Sequence, residues 1–252
     1  MTTHVSTQQW TAAQAKEQDY WNAYADAYSR YPQILLEHLR NLRDVGEYIR
    51  SALCAQSIER ALEVGVGPLG IGILGMQKTN FRITAVDSLP PITLNLPDGP
   101  LRSYVQALRE GVTYRTAQGE NLPFEDESFD FVCCHNVIDH SRNPMQILEE
   151  IYRVLKIRCP LFLTLNTFSS IGRLKFEIMR RFNPDKVIFI CHPHTFQHAE
   201  ILDALQRFGY ETLQHDGGGS SIFGRSRLSK FLCIKPPRKR QGLHASSKRI
   251  LI

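Results

Sequence analysis

The segment that most constrains this chain is Ala61-Leu-Glu-Val64, which runs directly into Gly65-Val-Gly67-Pro-Leu-Gly70. A short strand ending in Gly-x-Gly places bare backbone at the strand's carboxyl end. Glycine tolerates positive φ there and leaves room for a ligand to come close. A second run, Arg82-Ile-Thr-Ala-Val86, ends on Asp87, 22 residues after Gly65. A carboxylate at that spacing stands at the end of the adjacent strand, where it can accept hydrogen bonds from both hydroxyls of a ribose. With Gly70 the segment also fits the dinucleotide pattern G-x-G-x-x-G, and a plain tight turn is the bland alternative.

The rest of the chain continues the alternation of strand and helix. Trp10, Tyr20, Trp21, Tyr24, Tyr28 and Tyr31 make an aromatic-rich helical start, and apolar residues recur at spacings of three and four from Ile34 to Ile58. A helix-like stretch is expected after the glycine loop, and prolines 90, 91, 97 and 100 predict an irregular connection. A helix over 101–110, a strand at 112–116 and a strand at 129–134 follow. Asn143-Pro144 opens a helix, with Asn as cap and Pro at its first position. Pro160-Leu-Phe-Leu-Thr-Leu165 reads as a buried strand, and residues 168–190 as a basic, Phe-containing insertion. Thr195 is expected to cap a last helix that Gly209 stops, before strands near 210–215 and 229–234. This order predicts an α/β, doubly wound, mostly parallel sheet.

Composition limits the partners. Of 30 basic residues, six lie in 235–252, which has no acid, so residues 1–234 carry 24 basic against 25 acidic side chains. The body is near neutral, which disfavours a nucleic-acid partner; the basic end reads as a solvated tail. No apolar run is long enough to span a membrane. The start lacks the features of a secretory signal, and the six cysteines show no framework spacing, so a cytoplasmic location is expected.

Two features discriminate among nucleoside ligands. Glu63, two residues before Gly65, suits an ammonium group and not a pyrophosphate. Downstream stands Gln118-Gly-Glu-Asn-Leu-Pro-Phe124, then Ser128-Phe-Asp-Phe-Val-Cys-Cys-His-Asn-Val-Ile-Asp-His140 and Glu149-Glu-Ile-Tyr-Arg-Val-Leu-Lys156. In this order the segments resemble the class I S-adenosylmethionine-dependent methyltransferases, particularly the group of ubiquinone/menaquinone-biosynthesis enzymes with a methyltransferase type 11 domain. The resemblance spans about residues 55–235. Three departures from the family pattern stand out: Leu69 before a displaced third glycine, Gln118 where an acid is commoner, and Ile157-Arg-Cys-Pro160 in place of Pro-Gly-Gly.

The resemblance implies a Rossmann-like sheet of seven strands with an antiparallel last strand. It also implies a helical cap over 1–55, a methyltransferase domain over 56–235 with an acceptor-side insertion at 168–194, and a basic disordered tail over 236–252. S-adenosyl-L-methionine is the expected cofactor. Its expected contacts are Glu63, Gly65, Gly67, Asp87, Ser88, Gln118, Gly119, Glu120, His135 and Asn136. His135 and His194 are the expected catalytic groups, and a small molecule is the expected methyl acceptor. Nitrogen and oxygen donors cluster at His135, Asp139 and His140, but no metal is expected. An NAD-dependent oxidoreductase would share the glycines and Asp87 but leaves the 118–132 segments unexplained. A non-catalytic nucleoside-binding protein is the other alternative.

Overall fold

The computed structural model describes residues 5–50, 57–77, 80–217 and 226–237. Residues 238–252, where most of the basic tail was expected, lie outside the described residues.

Alternating apolar residues build a seven-stranded sheet in the order β3-β2-β1-β4-β5-β7-β6. Its strands are β1 Arg60–Val64, β2 Arg82–Asp87, β3 Val112–Thr116, β4 Phe131–His135, β5 Pro160–Thr167, β6 Glu211–Asp216 and β7 Arg227–Ile234. The pairs from β3 to β5 are parallel, and β7 runs antiparallel to both β5 and β6. The expected class and the antiparallel last strand are both observed.

Side chains along a strand point to opposite faces in turn. On β4, Val132 and Cys134 enter one core layer with Leu161, Leu163 and Phe231. Phe131 and Cys133 enter the other with Ala61, Phe162 and Leu232. The first layer packs under α4 (Pro144–Val154) and α7 (His198–Arg207), through Ile147, Ile151, Ile201 and Leu205. The second packs under α2 (Pro32–Glu47), whose Leu35, Leu39 and Leu42 recur at helical spacing. Helix α3 (Pro100–Glu110) precedes β3. The insertion is helical, as α5 (Ser170–Phe182) and α6 (Val187–Cys191).

Helix α1 (Thr7–Arg30) is separated from α2 by Tyr31 alone. Ser6 and Gln9 form its capping box.

Two local expectations are corrected. Residues 67–77 form turns, not a regular helix. Pro68, Gly70, Gly72 and Gly75 make helix costly there, and the amides of Ile73 and Leu74 go to the Glu63 carboxylate at 2.7 and 3.0 Å. Thr195 does not cap the last helix. Gln197 does, in a capping box with Glu200, while the Thr195 hydroxyl donates to Glu177. Asp130, in the Ser-Phe-Asp segment, ties strands together: its carboxylate accepts the amides of Glu59 and Arg60 and meets Lys156 Nζ at 2.6 Å.

Candidate active site

The strand order reverses direction between β1 and β4, and ligands of open α/β sheets bind at the carboxyl ends beside such a point. A cavity of about 760 Å³ lies there, roofed by α1. That volume is in the range of about 300–1,000 Å³ usual for small-molecule sites.

The glycine loop forms its floor. Gly65 has φ +72°, and a Cβ added to it would stand 2.1 Å from Val137 Cγ2. Gly67 has φ +76°, and its Cβ would come 3.2 Å from the Trp21 indole, which leans on the loop from α1. The Asp87 carboxylate pins the loop by accepting the amides of Gly67 at 2.8 Å and Leu89 at 2.9 Å. Burial pushes the Asp87 pKa up to about 6, against the pull of those two amides.

Glu63 is buried, and its two oxygens hold the turn at Ile73 and Leu74. Burial raises its pKa to about 7, with the Leu74 and Ile73 amides opposing. Its alternation with Ala61 aims it into the turn layer. The carboxylate thus fixes the loop, and Glu63 also lines the cavity, where the ammonium contact is expected from sequence.

Along the other wall, Gly119 is packed so closely that its Cβ would lie 3.1 Å from Ile147. Glu120 lines the cavity, but its Oε1 accepts the amides of Arg142 and Asn143 at 2.9 and 3.1 Å. Gln118 is not among the lining residues. The Leu122-Pro-Phe124 segment is held by α4: Glu150 accepts the Leu122 amide, and Arg153 donates to the carbonyls of Leu122 and Phe124.

Ser88, His135 and Asn136 line the cavity. His135 Nδ1 lies 2.5 Å from Thr164 Oγ1, and burial lowers its pKa to about 4, so the ring is neutral at pH 7. Asn136 takes φ +55° and meets Asn166 and His140.

His194 is placed elsewhere. It is 5% exposed and does not line the cavity. Its Nε2 lies 2.9 Å from the Ser141 carbonyl, so that nitrogen carries the proton and donates. His194→Ala is therefore expected to cost about 1–3 kcal/mol of stability, the cost of an unpaired buried partner. Turnover per folded molecule should stay near wild type. Urea unfolding alongside an activity assay checks this; a large fall in turnover without loss of stability would restore His194 to the site.

Residues beyond the expected cofactor contacts and catalytic groups also reach the cavity. Trp10, Gln14, Glu17 and Trp21 present one face of α1, His38 comes from α2, and His192 from the end of α6. The α1 face follows the helical repeat of i, i+4, i+7 and i+11, a pattern visible in the sequence; nothing there marks it as facing a cavity. The lining contains the carboxylates Glu17, Glu63, Asp87 and Glu120 and, among the described residues, no Lys or Arg. Such a wall favours a cationic ligand and disfavours a pyrophosphate.

The sheet order, the glycine loop and Asp87 define the class I S-adenosylmethionine-dependent methyltransferase architecture. Residues 62–163 match the family model described as a methyltransferase domain. The match covers β1 to β5 and leaves out α1, α5 and α6. An uncharacterized protein of Methanocaldococcus jannaschii, MJ1123, is 28% identical over 109 residues, 43% of this chain; the chain spans 51% of that relative's length.

Among solved structures, the 1,6-didemethyltoxoflavin-N1-methyltransferase of Burkholderia thailandensis, with bound 1,6-didemethyltoxoflavin and S-adenosylhomocysteine, matches at TM-score 0.59 and 14% identity. That match covers 94% of this chain and 93% of the other. A S-adenosylmethionine-dependent methyltransferase of Methanosarcina mazei gives TM-score 0.50 and 18% identity over 72% of this chain and 94% of its own. The [4+2]-cyclase SpnF gives TM-score 0.56 and 15% identity over 77% and 80%. At these identities the likeness is one of fold, and SpnF illustrates that one fold carries more than one reaction.

Proposed function

We propose that this protein transfers the methyl group of S-adenosylmethionine to a small-molecule acceptor. The observation that carries the proposal is the lining of the cavity: an Asp at the end of β2, two glycines at positive φ and four carboxylates without a Lys or Arg among the described residues. Gly65 and Gly67 present bare backbone at positive φ to the cavity, where a ligand can approach closely, so the residues present fit the cofactor. Asp87 would take the ribose hydroxyls. Ser88, Gly119 and Glu120 would border the nucleoside, and His135 and Asn136 the reacting end. Gln118, off the cavity wall, contributes only through the backbone course.

When bound, the cofactor supplies a methyl group made electrophilic by a sulfonium. The chain's task is then positional, because holding two reactants in line supplies much of a transfer reaction's acceleration. A neutral His135 adds no positive charge beside a cation. Helix α1 and the 168–194 segment wall the acceptor side, with Tyr20, Ile188 and Cys191 at the cavity. They lie outside the span of the matched family model, in keeping with acceptor choice being particular to this chain. A roofed cavity of this size suits a small molecule over a polymer. We read 1–55 as the cap and 56–235 as the methyltransferase domain on the same grounds.

Calorimetry with S-adenosylhomocysteine and with NAD(H) tests the cofactor. Binding of the first and not the second is expected; tight NAD binding with no response to S-adenosylhomocysteine would overturn the reading. Labelled methyl donor incubated with a metabolite extract tests transfer, and label should appear in a small molecule. Cofactor binding with no transfer from any extract would point to a different reaction on the same fold.

A further inference from the structure

Asp139, His140 and His192 each offer a ligand atom, and these atoms lie within 4.8 Å of one another, the one such group among the described residues. Asp139 and His140 come from the short 3₁₀ turn after β4, and His192 follows α6, 53 residues away in sequence. Asp139 Oδ2 lies 3.0 Å from His192 Nδ1 and 3.8 Å from His140 Nε2. Bonds of about 2.0–2.2 Å in a tetrahedral metal site imply donor separations of roughly 3.3–3.6 Å, a range that these two separations bracket.

The polar accounting of the cluster is incomplete. Asp139 is buried, yet among the described residues its Oδ1 has no hydrogen-bond partner, and neither has the buried His140 Nδ1. Glu17 Oε2 on α1 stands 3.6 Å from that nitrogen. The two imidazole rings are 3.9 Å apart between centroids. Buried polar atoms are nearly always partnered, and a buried carboxylate is paired or bound to a metal. Two imidazoles and one carboxylate form a donor set suited to zinc or iron(II).

We propose that Asp139, His140 and His192 bind a divalent transition-metal ion of the zinc or iron(II) type, with Glu17 beside the other ring nitrogen of His140. His140 and His192 line the same cavity as Asp87, so the ion faces the acceptor side. There it would hold a hydroxyl of the acceptor as its oxygen anion, the proton passing to solvent, as bound metals do by lowering the pKa of an oxygen ligand. This last step rests on the methyl-transfer reading; the metal site itself does not. It would also supply an activated oxygen where His194 is locked away from the cavity. The competing account leaves the cluster metal-free, with His140 protonated and paired to Asp139. In that state burial pulls the His140 pKa down while the Asp139 and Glu17 carboxylates hold it up at about 9.

The test uses full-length, tag-free protein, stripped with chelator and then equilibrated with Zn²⁺ or Co²⁺. One equivalent of metal per chain is expected, with Co²⁺ showing visible absorption from nitrogen and oxygen ligation. The half-buried His192→Gln variant should bind metal at least tenfold more weakly, as should Asp139→Asn if it folds. Zn²⁺ should raise the unfolding temperature of the wild type and not of His192→Gln. No stoichiometric uptake, or equal uptake by wild type and His192→Gln, would overturn the proposal. S-adenosylhomocysteine binding, measured on the same samples, fails separately if the cofactor reading is at fault.

Discussion

Asp87→Ala should lower affinity for S-adenosylhomocysteine at least a hundredfold while the fold survives. Two charge-assisted hydrogen bonds to a ribose are worth about 1.5–3 kcal/mol each. The same substitution also releases the amides of Gly67 and Leu89, so the loop loses its clamp as well as the ligand its anchor. The raised pKa of about 6 adds a pH signature. Below that value the free protein carries a protonated Asp87, and a ligand that needs the carboxylate must displace a proton. Affinity should therefore hold between pH 7 and 8 and fall about tenfold by pH 5, one pKa unit lower. The Asp87→Ala protein should lack that limb of the profile. Calorimetry across pH decides both points; an unchanged affinity in the variant would mean the ribose lies elsewhere.

Gly65→Ala should be nearly as damaging, through the protein itself. Its φ of +72° costs an L-residue about 1–2 kcal/mol. The new methyl would also meet Val137 Cγ2 at 2.1 Å, an overpacking worth about 1–3 kcal/mol. A loss of roughly 2–5 kcal/mol in unfolding free energy is expected, with weakened cofactor binding as the loop shifts. Val137→Ala in the same chain should recover the steric part and leave the backbone strain. If the double variant is no more stable than Gly65→Ala, the contact with Val137 is not the cause.

Much of the fold was legible because it rests on local signals. Strand β3 falls at 112–116 as its alternation predicts, Asn143-Pro144 opens α4, and Gly209 ends α7 in the left-handed conformation. The failures share another cause, a tertiary partner overriding a local pattern. The turn at 67–77 is organised by Glu63, and Thr195 is taken by Glu177 from α5 before it can cap anything.

The site follows the same rule. Gly65, Gly67, Asp87, His135 and Asn136 lie on or just after strands whose carboxyl ends the topology must bring together, and all of them line the cavity. Gln118 and His194 do not, because which way a loop side chain turns depends on its neighbours. His192 and His194 differ by two positions, and only packing against Asp139 and Ser141 separates cavity from core. Glu17 and His38 sit on amphipathic helices whose docked face the sequence leaves undetermined.

Helix α1 has a consequence for how the molecule must work through a cycle. It is one piece, pressing Trp21 on the cofactor loop, setting Glu17 beside His140 and joining Thr7 to Arg142 at 3.0 Å. A swing that admits one small molecule at Tyr20 also lifts the indole from Gly67. On the proposed methyl-transfer reading, movement of α1 about Tyr31 would therefore couple arrival of the acceptor to departure of the spent donor. Refashioning that helix for a new acceptor would reset how long the donor stays.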